Sequence, residues 1–136
     1  MSWAGFAMES CVKPEPFHER VDAVRRRFAA SLDGKIKDTF AELAELRGEE
    51  ASAIAAVAAC YRRIHGICGI GAAIGFAGTG SAAKSVEDIL VAAYRAGRGL
   101  NSAEAAQLPL RLDALAAAAA AELRNADIPA QQSETR

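Results

Sequence analysis

A histidine carries the first chemical signal in this chain. His65 stands in the run Arg63-Ile-His65-Gly-Ile-Cys-Gly69-Ile-Gly-Ala-Ala-Ile-Gly75-Phe76, with Val86-Glu87 further on. An imidazole acts as a nucleophile, a proton shuttle or a metal ligand, depending on what its second nitrogen meets. The run has helical spacing, yet it places Gly66, Gly69, Gly71 and Gly75 where alanine, abundant elsewhere in the chain, is better by about 1 kcal/mol each. Position 69 lies one turn after His65, and helical side chains lean toward the N-terminus. A larger residue at 69 covers the patch beside the imidazole; Gly69 leaves it open to a visitor.

Glu87 is the expected partner of His65. In an antiparallel hairpin turning near Gly75 to Gly80, the two residues reach similar heights at about 1.5 Å rise per residue. A carboxylate that takes the Nδ1 proton fixes the tautomer and leaves a bare lone pair on Nε2, the orienting role of the third member of a catalytic triad. Lys84 lies one turn before Glu87, and Arg62 one turn before His65. Two other chemistries are open to these side chains. His65, Cys68 and Glu87 could ligate a metal, but no fourth ligand and no known zinc spacing accompanies them. Cys68 could be a nucleophile with His65 as base, but nothing supplies an oxyanion hole. The stretch Gly75 to Gly80 lacks the Gly-Lys-Ser/Thr of a phosphate loop and no strand precedes it, so it reads as a helix connection.

The elements that must position these residues are helical nearly throughout. Val21, Val24, Phe28, Leu32, Ile36, Phe40 and Leu43 form one apolar stripe. Pro14 and Pro16 mark its start and Gly48 its stop, and Gly34 either divides it into two helices or weakens one long one. Ile54, Val57, Tyr61, Ile64, Cys68 and Gly71 form a second stripe over about 50–76, with Glu49 and Glu50 in the first turn, where the helix dipole favours acids. A third helix covers about 81–96 and ends at Gly97 and Gly99. Asn101 with Glu104 starts a fourth in a capping box, along Leu108, Leu112, Leu115, Ala119 and Leu123, and Pro109 should kink or restart it. Four amphipathic helices with short connections predict an all-α fold, an antiparallel up-down four-helix bundle with room for an extra N-terminal helix. Residues 1–15 and 125–136 read as flexible ends around a core of 16–124.

The chain has 136 residues, suited to one core, and a net charge of -1, which argues against nucleic acid as a partner. The alanine run 116–121 is far shorter than the roughly 20 apolar residues of a membrane span, so no membrane is expected. The N-terminus lacks the basic start of a signal peptide, which points to the cytoplasm. Cys11, Cys60 and Cys68 have no disulfide-scaffold spacing and are expected to be reduced and mostly buried.

Taken together, His65, Ile67 and Gly69, then Gly75-Phe76, then Val86-Glu87, resemble the histidine-containing phosphotransfer (Hpt) domain of the stand-alone bacterial type. The motif spans about 23 residues, and the helix layout extends the likeness over 16–124. The resemblance implies that His65 accepts a phosphoryl group from a receiver-domain aspartate or a kinase and passes it to another receiver, while Glu87 holds the imidazole. The carrier then needs no cofactor of its own; Mg²⁺ comes with the receiver. The partners are a response-regulator receiver domain, a hybrid sensor histidine kinase, or both, and the carrier itself is expected to be a monomer. The family usually has Lys three residues after the histidine, where this chain has Cys68. Lys84 is the expected substitute for its charge, with Arg62 as the other candidate. The docking face is expected around Arg62, Cys68, Ala72 and Gly75, with Ala58, Gly69 and Ala73 as its floor and Arg63 and Lys84 on its rim. The alternative is a non-catalytic helical interaction module that binds a receiver or kinase without transferring phosphate.

Overall fold

The computed structural model describes the backbone of residues 15–135 and the side-chain surroundings of residues 19–125. The helices are α1 (Glu15–Ala41), α2 (Ala51–Ala73), α3 (Ala77–Ala96) and α4 (Ser102–Thr135), with a short 3₁₀ turn, Leu43–Leu46, between α1 and α2. Each packs on its neighbours in a ring, α1 on α2, α2 on α3, α3 on α4 and α4 back on α1. This is the expected all-α four-helix bundle. The expected N-terminal extension and the extra helix fall on residues outside those described.

The core is where the apolar stripes meet. Phe28, Leu32 and Ile36 of α1, Val57, Cys60, Ile64 and Ile67 of α2, Ala83, Val86 and Leu90 of α3, and Leu108, Leu112 and Leu115 of α4 are all buried. Burying each of the larger aliphatic side chains contributes about 1.5–3 kcal/mol, which outweighs weak local propensity. Gly34 therefore does not divide α1: it is exposed, a Cβ there meets nothing, and the helix runs straight past it.

Several boundaries differ from the sequence expectation. The first helix stops at Ala41, well before Gly48, because the chain must turn inward to bury Leu46 completely. Gly48, at φ +111°, instead serves the following loop. Glu50 is the N-cap of α2, so Glu49 and Glu50 precede its first turn. Helix α3 begins at Ala77, which places Gly78 and Gly80 inside a helix that was expected to start near 81. Pro109 does not break α4, since Leu108, Leu112 and Leu115 anchor both sides of the missing bond. The same helix continues through residues 125–135, where a loose end was expected. By length and composition alone α2 is long and apolar enough to cross a bilayer, unlike the expectation that no segment was; here it contributes Val57, Cys60, Ile64 and Ile67 to the core.

The connections are built by local chemistry. After α2, Gly75 adopts φ +94° and Phe76 N–H donates to Gly71 O at 2.8 Å, the six-to-one bond of a Schellman ending. Phe76 then buries its ring against Phe28, centroids 5.2 Å apart. The start of α3 is capped from a distance. Glu122 of α4 accepts from Gly78 N–H and Thr79 N–H, both at 2.8 Å. The expected Asn101–Glu104 capping box is present, with Glu104 N–H donating to Asn101 Oδ1 at 2.8 Å and Asn101 N–H to Glu104 Oε1 at 2.9 Å.

Candidate functional site

His65 and Glu87 meet across the α2–α3 pair. Both helices bury small residues at their contact, and the contact is close at Gly80, where a Cβ would lie 3.1 Å from Ala72 N and 3.2 Å from Cys68 O. That close approach brings the border of each apolar stripe within side-chain reach of the other. His65 Nδ1 lies 3.3 Å from Glu87 Oε2. The two are unequally buried: the histidine side chain is 64 % exposed and the glutamate 9 %. A buried carboxylate thus underlies a ring that stands in solvent.

Lys84 stands beside this pair. Its Nζ is 3.9 Å from the same Glu87 oxygen and 3.4 Å from Asp88 Oδ1. The bond to Asp88, with the charges of Asp88 and Glu87, raises Lys84 above the ordinary lysine value and keeps it cationic. Asp88 was not foreseen, although its place four residues after Lys84 is the spacing at which helical ion pairs form.

Around the imidazole the surface is open. A Cβ on Gly66 or Gly69 meets nothing within 4 Å, so Gly69 leaves the space it was expected to leave. Arg62, Ala72 and Ala73 are exposed on α2, and Ile70 is 45 % exposed among them. Cys68 is half-buried toward α3. Gly75 lies ten residues past His65, about 15 Å along the axis, and its positive φ gives it a role in the turn.

Arg63 is not on this face, contrary to expectation. Its guanidinium turns back to α1, donating from Nη1 and Nη2 to the Glu42 carboxylate at 3.0 and 3.1 Å and from Nη1 to Thr39 Oγ1 at 3.0 Å. Below it Cys60 is fully buried, and burial pushes its thiol up to about 11 despite the nearby Arg63 charge. The sequence places Tyr61 in an apolar stripe, and the structure gives it a second role. Tyr61 stacks on His65, centroids 5.6 Å apart, and on Tyr94, 4.2 Å apart. The i, i+4 spacing of Tyr61 and His65 could have disclosed the first contact; the second depends on how α2 meets α3.

Chemically, the arrangement presents an imidazole, with one nitrogen beside a buried carboxylate, on an exposed helix face. Two cavities, of 390 and 610 Å³, open near Arg47 and Leu100 toward the other end of α2, and His65 lines neither. No group of three His, Cys, Asp or Glu side chains is placed to hold a metal ion among the described residues. No protein-family model matches the chain, and neither a curated protein nor a solved structure shows significant similarity to it.

Proposed function

We propose that this protein is a histidine phosphocarrier of a two-component phosphorelay, moving a phosphoryl group on His65 between receiver-domain aspartates. One observation carries the reading: an exposed imidazole on a rigid bundle helix, with Nδ1 3.3 Å from a buried glutamate of the neighbouring helix. The motif that resembles the Hpt domain adds to it.

In the transfer, the Nε2 lone pair attacks the phosphorus of an aspartyl phosphate in line with the breaking P–O bond. The partner's carboxylate leaves with that electron pair, and the new N–P bond forms on His65. Glu87 holds the Nδ1 proton and balances the positive ring while the phosphoryl group is attached. Such transfers depend on positioning and charge stabilisation far more than on covalent help from the carrier. The exposed site suits this division of labour, since the receiver brings the acidic pocket and Mg²⁺. Lys84 supplies the positive charge that Cys68 does not. The partners are a receiver domain, a hybrid sensor histidine kinase, or both, met by a monomer in the cytoplasm.

A second reading has one observation in its favour. Cys68, in the place where the family usually has lysine, is half-buried and carries no positive charge. A bundle that binds receivers without accepting phosphate would keep the face and lose the chemistry. Incubating the protein and His65→Ala with a panel of phosphorylated receivers separates the two. Acid-labile label on the native chain alone supports the carrier; binding without label from any receiver supports the interaction module.

A further inference from the structure

Glu87 touches His65 at one edge, and an edge contact alone leaves the plane of the ring free to tilt. The neighbouring glycines provide no wall, since a Cβ on Gly66 or Gly69 meets nothing. The imidazole is bounded on another side. Tyr61, one turn earlier on the same face of α2, lies with its ring 5.6 Å from the imidazole and only 15° from parallel. Tyr61 is in turn backed by Tyr94 of α3, at 4.2 Å and 12°. Three rings form a ladder across both helices with Tyr61 in the middle. The ladder accounts for Tyr94, an aromatic ring left 37 % exposed on the outside of α3 with no core to enter.

We propose that Tyr61, braced by Tyr94, is a positioning residue that fixes the plane of the His65 imidazole. The proposal rests on the reading of His65 as phosphoacceptor. Neither tyrosine touches the phosphoryl group. Offset parallel rings attract and resist tilting, and the plane of the ring sets the direction of the Nε2 lone pair. The stack sets the plane and Glu87 sets which edge faces inward; together they define one attack direction. A chain with Cys68 where the family usually has lysine depends the more on orientation, because that source of transition-state charge is missing.

The test uses phosphoramidate as a small phosphodonor that needs no protein partner. Its P–N bond breaks, ammonia leaves with the electron pair, and the N–P bond forms at Nε2 while the Nδ1 proton stays against Glu87. Native protein, Tyr61→Leu, Tyr61→Phe and Tyr94→Leu are compared for the rate of His65 labelling. Nitrogen NMR of histidine-labelled protein reports the tautomer balance of the ring, and circular dichroism confirms the fold. Tyr61→Leu is expected to label about tenfold more slowly, since small losses of alignment have effects of this order or larger. Without the stack the ring tilts and draws Nδ1 away from Glu87, so its nitrogens shift toward the mixed tautomers of a free imidazole. Tyr61→Phe keeps both native properties, and Tyr94→Leu, altered outside the core, falls between. A native rate or a native tautomer balance in folded Tyr61→Leu overturns the proposal. If the native protein takes no label at all, the phosphocarrier reading falls instead, and the nitrogen spectra still decide whether Tyr61 positions the ring.

Discussion

The carboxylate of Glu87 is buried beneath the exposed imidazole of His65, with 3.3 Å between Oε2 and Nδ1. A buried carboxylate costs free energy unless something compensates it, and its two positive or proton-donating neighbours, His65 and Lys84, both lie on the solvent side. The acid therefore draws on the surface for its partners and in doing so orients them. The pair links a folding requirement to the chemistry proposed for His65.

Truncating Glu87 should separate these two roles. Glu87→Ala is expected to slow phosphoryl transfer to His65 by about tenfold or more, a loss of the size that a misoriented reacting group produces. Glu87→Gln retains an acceptor for the Nδ1 proton and should lose much less. Because the alanine variant also removes a buried charge whose partners are solvated, its folding stability should change by no more than about 1 kcal/mol. Single-turnover transfer rates and thermal unfolding of the two variants check both statements.

Lys84 is shared between Glu87 and Asp88, so its charge is partly committed. Lys84→Ala should lower the transfer rate several-fold and make it less sensitive to salt, because an exposed cation acts through a screened field. Asp88→Asn should act in the opposite direction by releasing the ammonium toward an incoming phosphoryl group. Equal rates for native protein, Lys84→Ala and Asp88→Asn across a salt series would remove Lys84 from the mechanism.

Two glycines should answer oppositely to alanine. Gly69 has open space around it, so Gly69→Ala folds and gains about 1 kcal/mol of helix propensity. Gly69→Leu likewise folds but covers the imidazole, and its transfer from a receiver falls. Gly80→Ala puts a Cβ 3.1 Å from Ala72 N and 3.2 Å from Cys68 O, so the α2 backbone must give way by a few tenths of an ångström. Overpacking of this kind costs about 1–3 kcal/mol. Denaturant unfolding of the three variants tests the ordering.

Acid should act through the remote cap on α3. Burial works to raise the Glu122 carboxyl, but the Thr79 hydroxyl and the Thr79 and Gly78 N–H groups outweigh it and hold the group below its ordinary value. A carboxyl depressed in the folded state contributes stability that is complete above its unfolded value, about 4.3, and is lost as pH falls through the folded value. Glu104, depressed chiefly by Arg98, acts with the same sign. Glu122→Ala should cost about 1 kcal/mol at neutral pH, the usual worth of a helix cap, and flatten the acid limb of the stability curve. Unfolding curves from neutral to acid pH for native protein and variant measure both.

Much of this protein is local in origin and therefore readable along the chain. The stripes of α1, α2 and α4, the Asn101–Glu104 box and the open position at Gly69 all follow from helical periodicity and the length of one turn, because i, i+3 and i+4 neighbours share a face whatever surrounds them. The tertiary structure decided what periodicity leaves open. Arg63 and His65 are two residues apart, yet one turns to Thr39 on α1 and Glu42 just after it, and the other to Glu87 on α3. Glu122 caps a helix that begins 45 residues earlier in the chain, at Ala77, and so carries α3 back through Gly78 and Gly80. Tyr61 meets Tyr94 only because α2 packs on α3. Pro109 stays helical because core leucines on both sides hold it. In each case the deciding partner comes from another element, and its register is set by packing of the whole core, which no short window of sequence contains.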